Sequence, residues 1–250
     1  MVEQLGQRVS AFSVGDAVTG ITPPSPTLRA GAFAEYVAVH AEGFIALKPP
    51  SLSFTEAAAV GLAATAAQAS IDAVDPKAGD PVLIVGATGG VGNYAVQLAR
   101  ARGADVVATG LPEDEDQLQA LGATEVVDYT GDLVAAVRER HPDGVAALID
   151  LVHRDAEAFS ALAELVPSGG RAATTMGSAD PEALAARGVR ATNVSAQSDP
   201  STFQSAVGAA STGTIRVPLR EVLTLDEVQR GLDLIASGKA RGKLVVTTRM

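Results

Sequence analysis

The stretch Pro81-Val-Leu-Ile-Val-Gly-Ala-Thr-Gly-Gly-Val-Gly-Asn93 places a short apolar run directly before a glycine-rich turn. The run has the continuous hydrophobicity of a strand that is buried on both faces, and residues 94–102 have the pattern of a helix. Spacings of three residues separate the glycines Gly86, Gly89 and Gly92. A strand, a tight glycine turn and a helix in this order predict a site where main-chain N–H groups hold the diphosphate of a dinucleotide.

Downstream of this turn, short apolar runs alternate with helical segments. We predict six strands, near residues 82–85, 105–109, 125–128, 145–150, 170–176 and 189–195. Parallel strands are joined by right-handed crossovers, so this alternation predicts an α/β fold with a doubly wound, six-stranded parallel (Rossmann) sheet. Its ligand is expected at the carboxyl ends of the strands, where the strand order reverses.

The two flanks of this region have different patterns. Residues 1–50 are rich in β-branched residues, glycine and proline, and residues 31–39 alternate like a half-buried strand, which predicts an all-β portion. A capping-box pattern at Ser53 and Glu56 predicts an alanine-rich helix, in two pieces, that ends near Val74. After about residue 199 we expect a helix, a short segment at 215–219, a second helix near 225–236 and a last strand at 243–248.

Composition and charge bound the class of protein. The 250 residues are 47% hydrophobic and 19% charged, which is enough apolar material for a substantial core. A net charge of -10 gives no electrostatic footprint for nucleic acid or an anionic membrane, and no run of about 18 apolar residues is present. We therefore expect no nucleic-acid or membrane partner and a cytoplasmic location. The chain has no cysteine and three scattered histidines, so we expect no metal site.

A set of short motifs spread over nearly the whole chain resembles one known family. The motifs are Val14-Gly-Asp-Ala-Val18, Gly31-Ala-Phe-Ala-Glu-Tyr36, Thr65-Ala-Ala-Gln68, the turn at 86–92 with Ala95-Val-Gln-Leu98, Leu121-Gly-Ala123, Asp128-Tyr129, Gly169-Gly-Arg171 and Gly242-Lys-Leu-Val245. Together they resemble the zinc-independent branch of the medium-chain dehydrogenase/reductases, the quinone oxidoreductase-like proteins. The resemblance implies hydride transfer from NADPH to a small-molecule quinone, enone or similar carbonyl compound. It also implies a homodimer, joined at the sixth strand of the sheet.

The resemblance also implies a division of the chain. Residues 1–75 correspond to part of a GroES-like catalytic domain, 76–200 to an NAD(P)-binding Rossmann domain, and 201–250 to a C-terminal segment that returns to the catalytic domain. Family members begin with several further strands, so we expect the GroES-like β domain of this chain to be incomplete. Two alternatives stay open: an enoyl reductase of polyketide-synthase type, and a nucleotide-binding remnant without turnover.

Candidate cofactor-binding residues follow from the turn and from the resemblance. The turn itself contributes Gly86, Gly89, Gly90 and Val91 through the backbone, and Thr88 through its hydroxyl. The resemblance adds Gly110 and Tyr129 near the adenosine ribose and Thr65 near the nicotinamide end. Gly177 follows the fifth predicted strand, at the edge where the nicotinamide is expected. No catalytic side chain is assigned, and His153 is interpreted as a loop substitution.

The residues that would surround the adenosine ribose do not decide between NADP(H) and NAD(H). The resemblance implies NADP(H), but Asp114 occupies the position where relatives hold the ribose 2′-phosphate with a lysine. The acidic run 113–116 lies near the distance at which a carboxylate binds the ribose hydroxyls of NAD. The same run is also a good first helical turn after Pro112. Lys239 or Arg241 are candidates to supply a cation from the C-terminal segment.

Overall fold

The computed structural model describes residues 1–22, 31–197 and 199–248. Along the chain, the strands of the described residues are β1 (Val18–Gly20), β2 (Ile45–Leu47), β3 (Pro81–Val85), β4 (Asp105–Thr109), β5 (Glu125–Val127), β6 (Ala147–Asp150), β7 (Arg171–Thr174), β8 (Arg190–Asn193), β9 (Leu219–Thr224) and β10 (Lys243–Thr247). The α-helices are α1 (Phe54–Val74), α2 (Gly92–Ala101), α3 (Glu115–Ala120), α4 (Leu133–Arg140), α5 (Ala156–Ala163), α6 (Pro181–Ala185), α7 (Pro200–Ser211) and α8 (Val228–Ala236).

Six of the described strands form the central parallel sheet, in the order β5-β4-β3-β6-β7-β8. The order reverses between β3 and β6, where Val85 lies opposite Asp150. Side chains from the two faces of the sheet enter two separate hydrophobic clusters, because helices cover both faces. The predicted doubly wound sheet is confirmed. β8 forms one edge of this sheet, and its pairing with a second copy stays a prediction.

Helix α1 packs against the sheet and against α2 and α7. It begins with the predicted capping box, in which the backbone N–H groups of Ser53 and Glu56 each donate to the other residue's side chain. A kink at Gly61, with φ -14° and ψ -108°, divides the helix into the two predicted pieces. Among the described helices, α1 alone is long and apolar enough to cross a membrane, but 72% of that window is buried inside the fold.

The prediction of a strand at residues 31–39 is wrong. The segment is irregular, and Phe33, Tyr36 and Val37 are exposed. Alternation of apolar residues stabilises a strand only where a neighbouring strand accepts its hydrogen bonds, and none of the described strands pairs with this segment. In the described part of the first 50 residues, the all-β prediction is met only by the short antiparallel pair of β1 and β2.

In the C-terminal residues the two predicted helices and the last strand are present, and the strand between the helices lies at 219–224, so it begins only at the last residue of the segment predicted at 215–219. α7 is followed by β9, a 3₁₀ turn at Leu225–Glu227, α8 and β10. β9 and β10 pair in parallel with each other and contact α1. The division of the chain into domains at residues 75 and 200 stays a prediction.

The buried hydroxyl of Tyr94 predicts a stabilising substitution. Tyr94 is fully buried on α2, and in the described residues its Oη is the buried side-chain polar atom that lacks a hydrogen-bond partner. Burial of this hydroxyl also raises the pKa of Tyr94. Because an unsatisfied buried hydroxyl costs about 1 kcal/mol or more, we expect Tyr94→Phe to raise the free energy of unfolding by about 1 kcal/mol. Denaturant unfolding measures the difference, with the exposed Tyr36→Phe as a neutral control. A loss of stability in Tyr94→Phe would show that this hydroxyl is hydrogen-bonded in solution.

Candidate functional site

The glycine turn lies between β3 and α2, at the point where the strand order reverses. Gly86 has φ +85°, and a Cβ atom at this residue would lie 2.7 Å from Cγ2 of Val152. A Cβ at Gly92 would lie 2.1 Å from the carbonyl oxygen of Gly86. The backbone of the turn is therefore folded tightly on itself, and side chains are excluded from these two positions.

The N–H groups that open α2 are available to a ligand. Gly89 donates to the carbonyl of Gly86 at 3.1 Å, whereas the N–H groups of Gly90, Val91 and Gly92 have no acceptor among the described residues. No side chain caps α2, and its first turn has no acidic residue. Unpaired N–H groups and the positive end of the helix dipole together favour an anion at this position.

Asn93 holds the turn from the protein interior. Its buried side-chain amide donates to the carbonyls of Ala87 at 3.0 Å and Gly89 at 3.1 Å. Its Oδ1 accepts a hydrogen bond from Gln117 at 3.2 Å. On the adjacent strand, the hydroxyl of Thr109 accepts the N–H of Gly86 at 3.0 Å. Asn93 directly follows Gly92, the last of the three evenly spaced glycines, and this position was the only sequence signal for its role.

The C-terminal segment covers the outer side of the turn. The N–H of Gly242 donates to the carbonyl of Thr88 at 3.1 Å, and the hydroxyl of Thr88 has no partner within the described residues. A Cβ at Gly90 would lie 2.9 Å from Cδ of Lys243, so the stem of this lysine lies against the turn. Burial lowers the pKa of Lys243, and no carboxylate pairs with it in the described part of the chain. Lys243 was not among the site residues predicted from the sequence, because it lies 153 positions after Gly90.

The loop after β4 is closed by an ion pair that also involves the C-terminal segment. Gly110 is buried, and a Cβ there would lie 2.7 Å from Cδ1 of Leu118. The buried carboxylate of Asp114 accepts the N–H of Leu111 at 2.9 Å and the guanidinium of Arg241. The acidic run does begin a helix, as predicted, with a 3₁₀ turn at Pro112–Asp114 that leads into α3.

The other predicted site residues lie after neighbouring strands or on α1. Tyr129 follows β5 and is 45% exposed, and Gly177 follows β7 with φ +76° and has no neighbouring atom within 4 Å of the position that a Cβ would occupy. Because all strands of the sheet are parallel, the turns after β3, β4, β5 and β7 share one edge of the sheet. Thr65 is buried in α1, where its hydroxyl donates to the carbonyl of Gly61 at 2.7 Å. Roles of these residues toward a cofactor stay predictions.

A histidine-carboxylate pair follows β6 at the same edge. The fully buried carboxylate of Asp150 lies 3.1 Å from Nδ1 of His153 and accepts the N–H of Val152 at 3.0 Å. From the sequence, His153 was interpreted as a loop substitution, and Asp150 was not identified as its partner. This pair fixes the loop after β6, because Val152 lies between the two residues, and the side chain of Val152 packs against Gly86. Within the described residues, no group of three or more histidine, cysteine, aspartate or glutamate side chains is arranged to hold a metal ion. Zinc independence stays a prediction.

The known proteins that are similar to this chain are dehydrogenases, quinone oxidoreductases and a reductase. The family profile of the zinc-binding dehydrogenases matches residues 121–246. Quinone oxidoreductase from Sus scrofa is 36% identical over 159 residues, which are 61% of this chain and 46% of that protein. The 2-methylene-furan-3-one reductase of Solanum lycopersicum is 33% identical over 189 residues, 72% of this chain and 46% of that protein. The structure of the quinone oxidoreductase from Coxiella burnetii superposes with a TM-score of 0.87 at 27% identity, covering 98% of this chain and 76% of that one.

The doubly wound sheet and the glycine turn at its switch point define an α/β protein of the Rossmann-like class. The chain belongs to the zinc-binding dehydrogenase family and is a quinone oxidoreductase-like medium-chain dehydrogenase/reductase. It spans less than half of the length of the two curated relatives, so its activity, substrate and partners are matters for a proposal.

Proposed function

We propose that this protein is an NAD(P)H-dependent oxidoreductase that transfers a hydride to a quinone, an enone or a similar conjugated carbonyl compound without zinc. The observation that carries the proposal is the turn at 86–92, with its excluded side chains and its unpaired N–H groups at the start of α2. Quinone oxidoreductase and 2-methylene-furan-3-one reductase, the relatives named above, support the substrate class.

The turn fits the diphosphate of a nicotinamide dinucleotide. A phosphate needs close approach of the backbone, and side chains at Gly86 and Gly92 are sterically excluded. The N–H groups of Gly90, Val91 and Gly92 would donate to its oxygens, and Lys243 would add a positive charge beside Gly90. The backbone of the turn is held in place by Asn93 inside it, which binds the carbonyls of Ala87 and Gly89, and by the hydrogen bond from Gly242 to Thr88 outside it.

The remaining chemistry requires little from the side chains of this chain. When bound, a reduced nicotinamide supplies the hydride, which carries two electrons, and the acceptor takes one proton from solvent. The protein orients the reactants at the carboxyl edge of the sheet. The segment after β7, including Gly177, is the part of this edge proposed to lie beside the nicotinamide.

The proposal is tested by separating cofactor binding from turnover. We expect the fluorescence of NADH or NADPH to change on titration with the protein, and we expect cofactor consumption with members of a panel of quinones and enones. Binding without consumption of the cofactor by any acceptor would support the alternative of a nucleotide-binding protein without turnover. Absence of binding to both cofactors would refute the proposed function.

A further inference from the structure

The ion pair between Asp114 and Arg241 joins two distant parts of the chain beside the glycine turn. Arg241 immediately precedes Gly242, whose N–H is bonded to Thr88 in the turn. Its guanidinium reaches the buried carboxylate of Asp114, in the loop after β4, 127 positions earlier in the sequence. The side chain of Arg241 is 26% exposed and that of Asp114 is 4% exposed, so the carboxylate lies beneath the guanidinium.

This pair lies where a doubly wound sheet distinguishes its cofactors. In such sheets the diphosphate lies at the turn after the first strand, and the adenosine ribose lies at the end of the second strand. These positions correspond here to the turn after β3 and the loop after β4. A carboxylate at the second position accompanies a ribose with free hydroxyls, whereas a nearby arginine accommodates a 2′-phosphate.

The charge of this loop opposes a phosphate dianion. Four consecutive carboxylates occupy residues 113–116, and all except Asp114 are exposed. No lysine or arginine occurs between Arg102 and Arg138. In the described part of the chain, Arg241 is the only cation that forms an ion pair with the acidic run, and Asp114 already matches its charge. A 2′-phosphate would therefore meet net negative charge, and this repulsion weakens its binding.

We infer that the Asp114–Arg241 ion pair makes the cofactor site selective for NADH over NADPH. The inference rests on the proposed function, because it concerns the same nucleotide site. The site accepts the 2′-hydroxyl of NADH without added charge, and it repels the 2′-phosphate of NADPH because the guanidinium of Arg241 is already paired with Asp114.

Parallel fluorescence titrations with NADH and NADPH test the inference in the complete chain. We expect the unsubstituted protein to bind NADH at least about fivefold more tightly, since a charge contact near a protein surface has this size or more. Tighter binding of NADPH would overturn the inference and leave the proposed function intact. Absence of binding to both cofactors would refute the function and the inference together.

Three variants test whether the ion pair itself is responsible. Asp114→Asn releases Arg241 and should shift the ratio of affinities toward NADPH by about fivefold. The double variant Asp114→Asn with Arg241→Met should lose this gain, because the freed guanidinium is removed. Glu113→Gln removes the same formal charge from an exposed neighbour that is not bonded to Arg241, and it should shift the ratio less.

Equal shifts in Asp114→Asn and Glu113→Gln would assign the selectivity to general charge and overturn the role of the pair. If the double variant shifts the ratio of affinities toward NADPH as much as Asp114→Asn does, the role of the pair is likewise overturned. Thermal unfolding of each variant without cofactor checks that it is folded before its affinities are compared. If Asp114→Asn does not fold, the ratio measured for the unsubstituted protein still decides whether NADH is preferred.

Discussion

Gly92→Ala is expected to destabilise the protein by about 3 kcal/mol and to weaken binding of NADH and NADPH by tenfold or more, because overpacking against fixed backbone has this cost. The added Cβ would lie 2.1 Å from the carbonyl oxygen of Gly86 and 2.6 Å from the Cα of Ala87. Both atoms belong to the backbone, so no side-chain rotation relieves the collision. The turn has to move away from the start of α2, and the unpaired N–H groups move with it.

Gly208→Ala is the matched control for this substitution. Gly208 lies inside α7, and a Cβ there meets no atom within 4 Å. Replacing glycine by alanine in a helix interior stabilises by about 0.5–1 kcal/mol, so the control should raise the free energy of unfolding and leave cofactor affinity unchanged. Denaturant unfolding and cofactor fluorescence measure both effects. Unaltered affinity in a folded Gly92→Ala protein would place the nucleotide elsewhere.

The sheet and the glycine turn were predictable because their signals are local in sequence. Continuous apolar runs such as Val82–Val85 identify strands that are buried on both faces, and the glycine spacing identifies the turn that follows. The segment at residues 31–39 shows the limit of this reasoning. Its alternation of apolar and small residues resembles that of a strand, but strand formation depends on a partner that no local pattern specifies.

The contacts that complete the candidate site could not be predicted in the same way. The interaction of Lys243 with Gly90 joins residues that are far apart in sequence, as does the pairing of Arg241 with Asp114. From the sequence, Arg241 was predicted only as one of two candidate cations, and two interpretations of Asp114 were left open, a carboxylate near the ribose of NAD and part of a first helical turn. In the structure Asp114 lies in the turn that leads into α3 and also holds the guanidinium of Arg241, so the helical turn and the ion pair are compatible.

In the protein without a ligand, burial makes the charged form of Lys243 energetically unfavourable. Burial lowers its pKa, and none of the described carboxylates pairs with it. A lysine with a lower pKa in the folded than in the unfolded protein opposes folding while it is protonated. This cost is fully present below the folded pKa and disappears as the pH rises through the interval up to the unfolded pKa, which is about 10.4. A diphosphate bound beside Gly90 would offset the same cost, because it supplies the missing negative charge.

Lys243→Met should therefore have opposite effects on stability and on binding. We expect a higher free energy of unfolding at neutral pH, with a gain that shrinks as the pH approaches the unfolded pKa of lysine. We also expect NADH and NADPH to bind about thirtyfold more weakly, because a hydrogen bond between charged groups contributes about 2 kcal/mol. Equal losses for both cofactors would assign Lys243 to the diphosphate they share, separately from the selection by Asp114 and Arg241. The exposed Arg8→Met removes a positive charge outside the candidate site and is the control, and neither property should change in it. If Lys243→Met stabilises the protein but binds both cofactors normally, the lysine has no part in the nucleotide site.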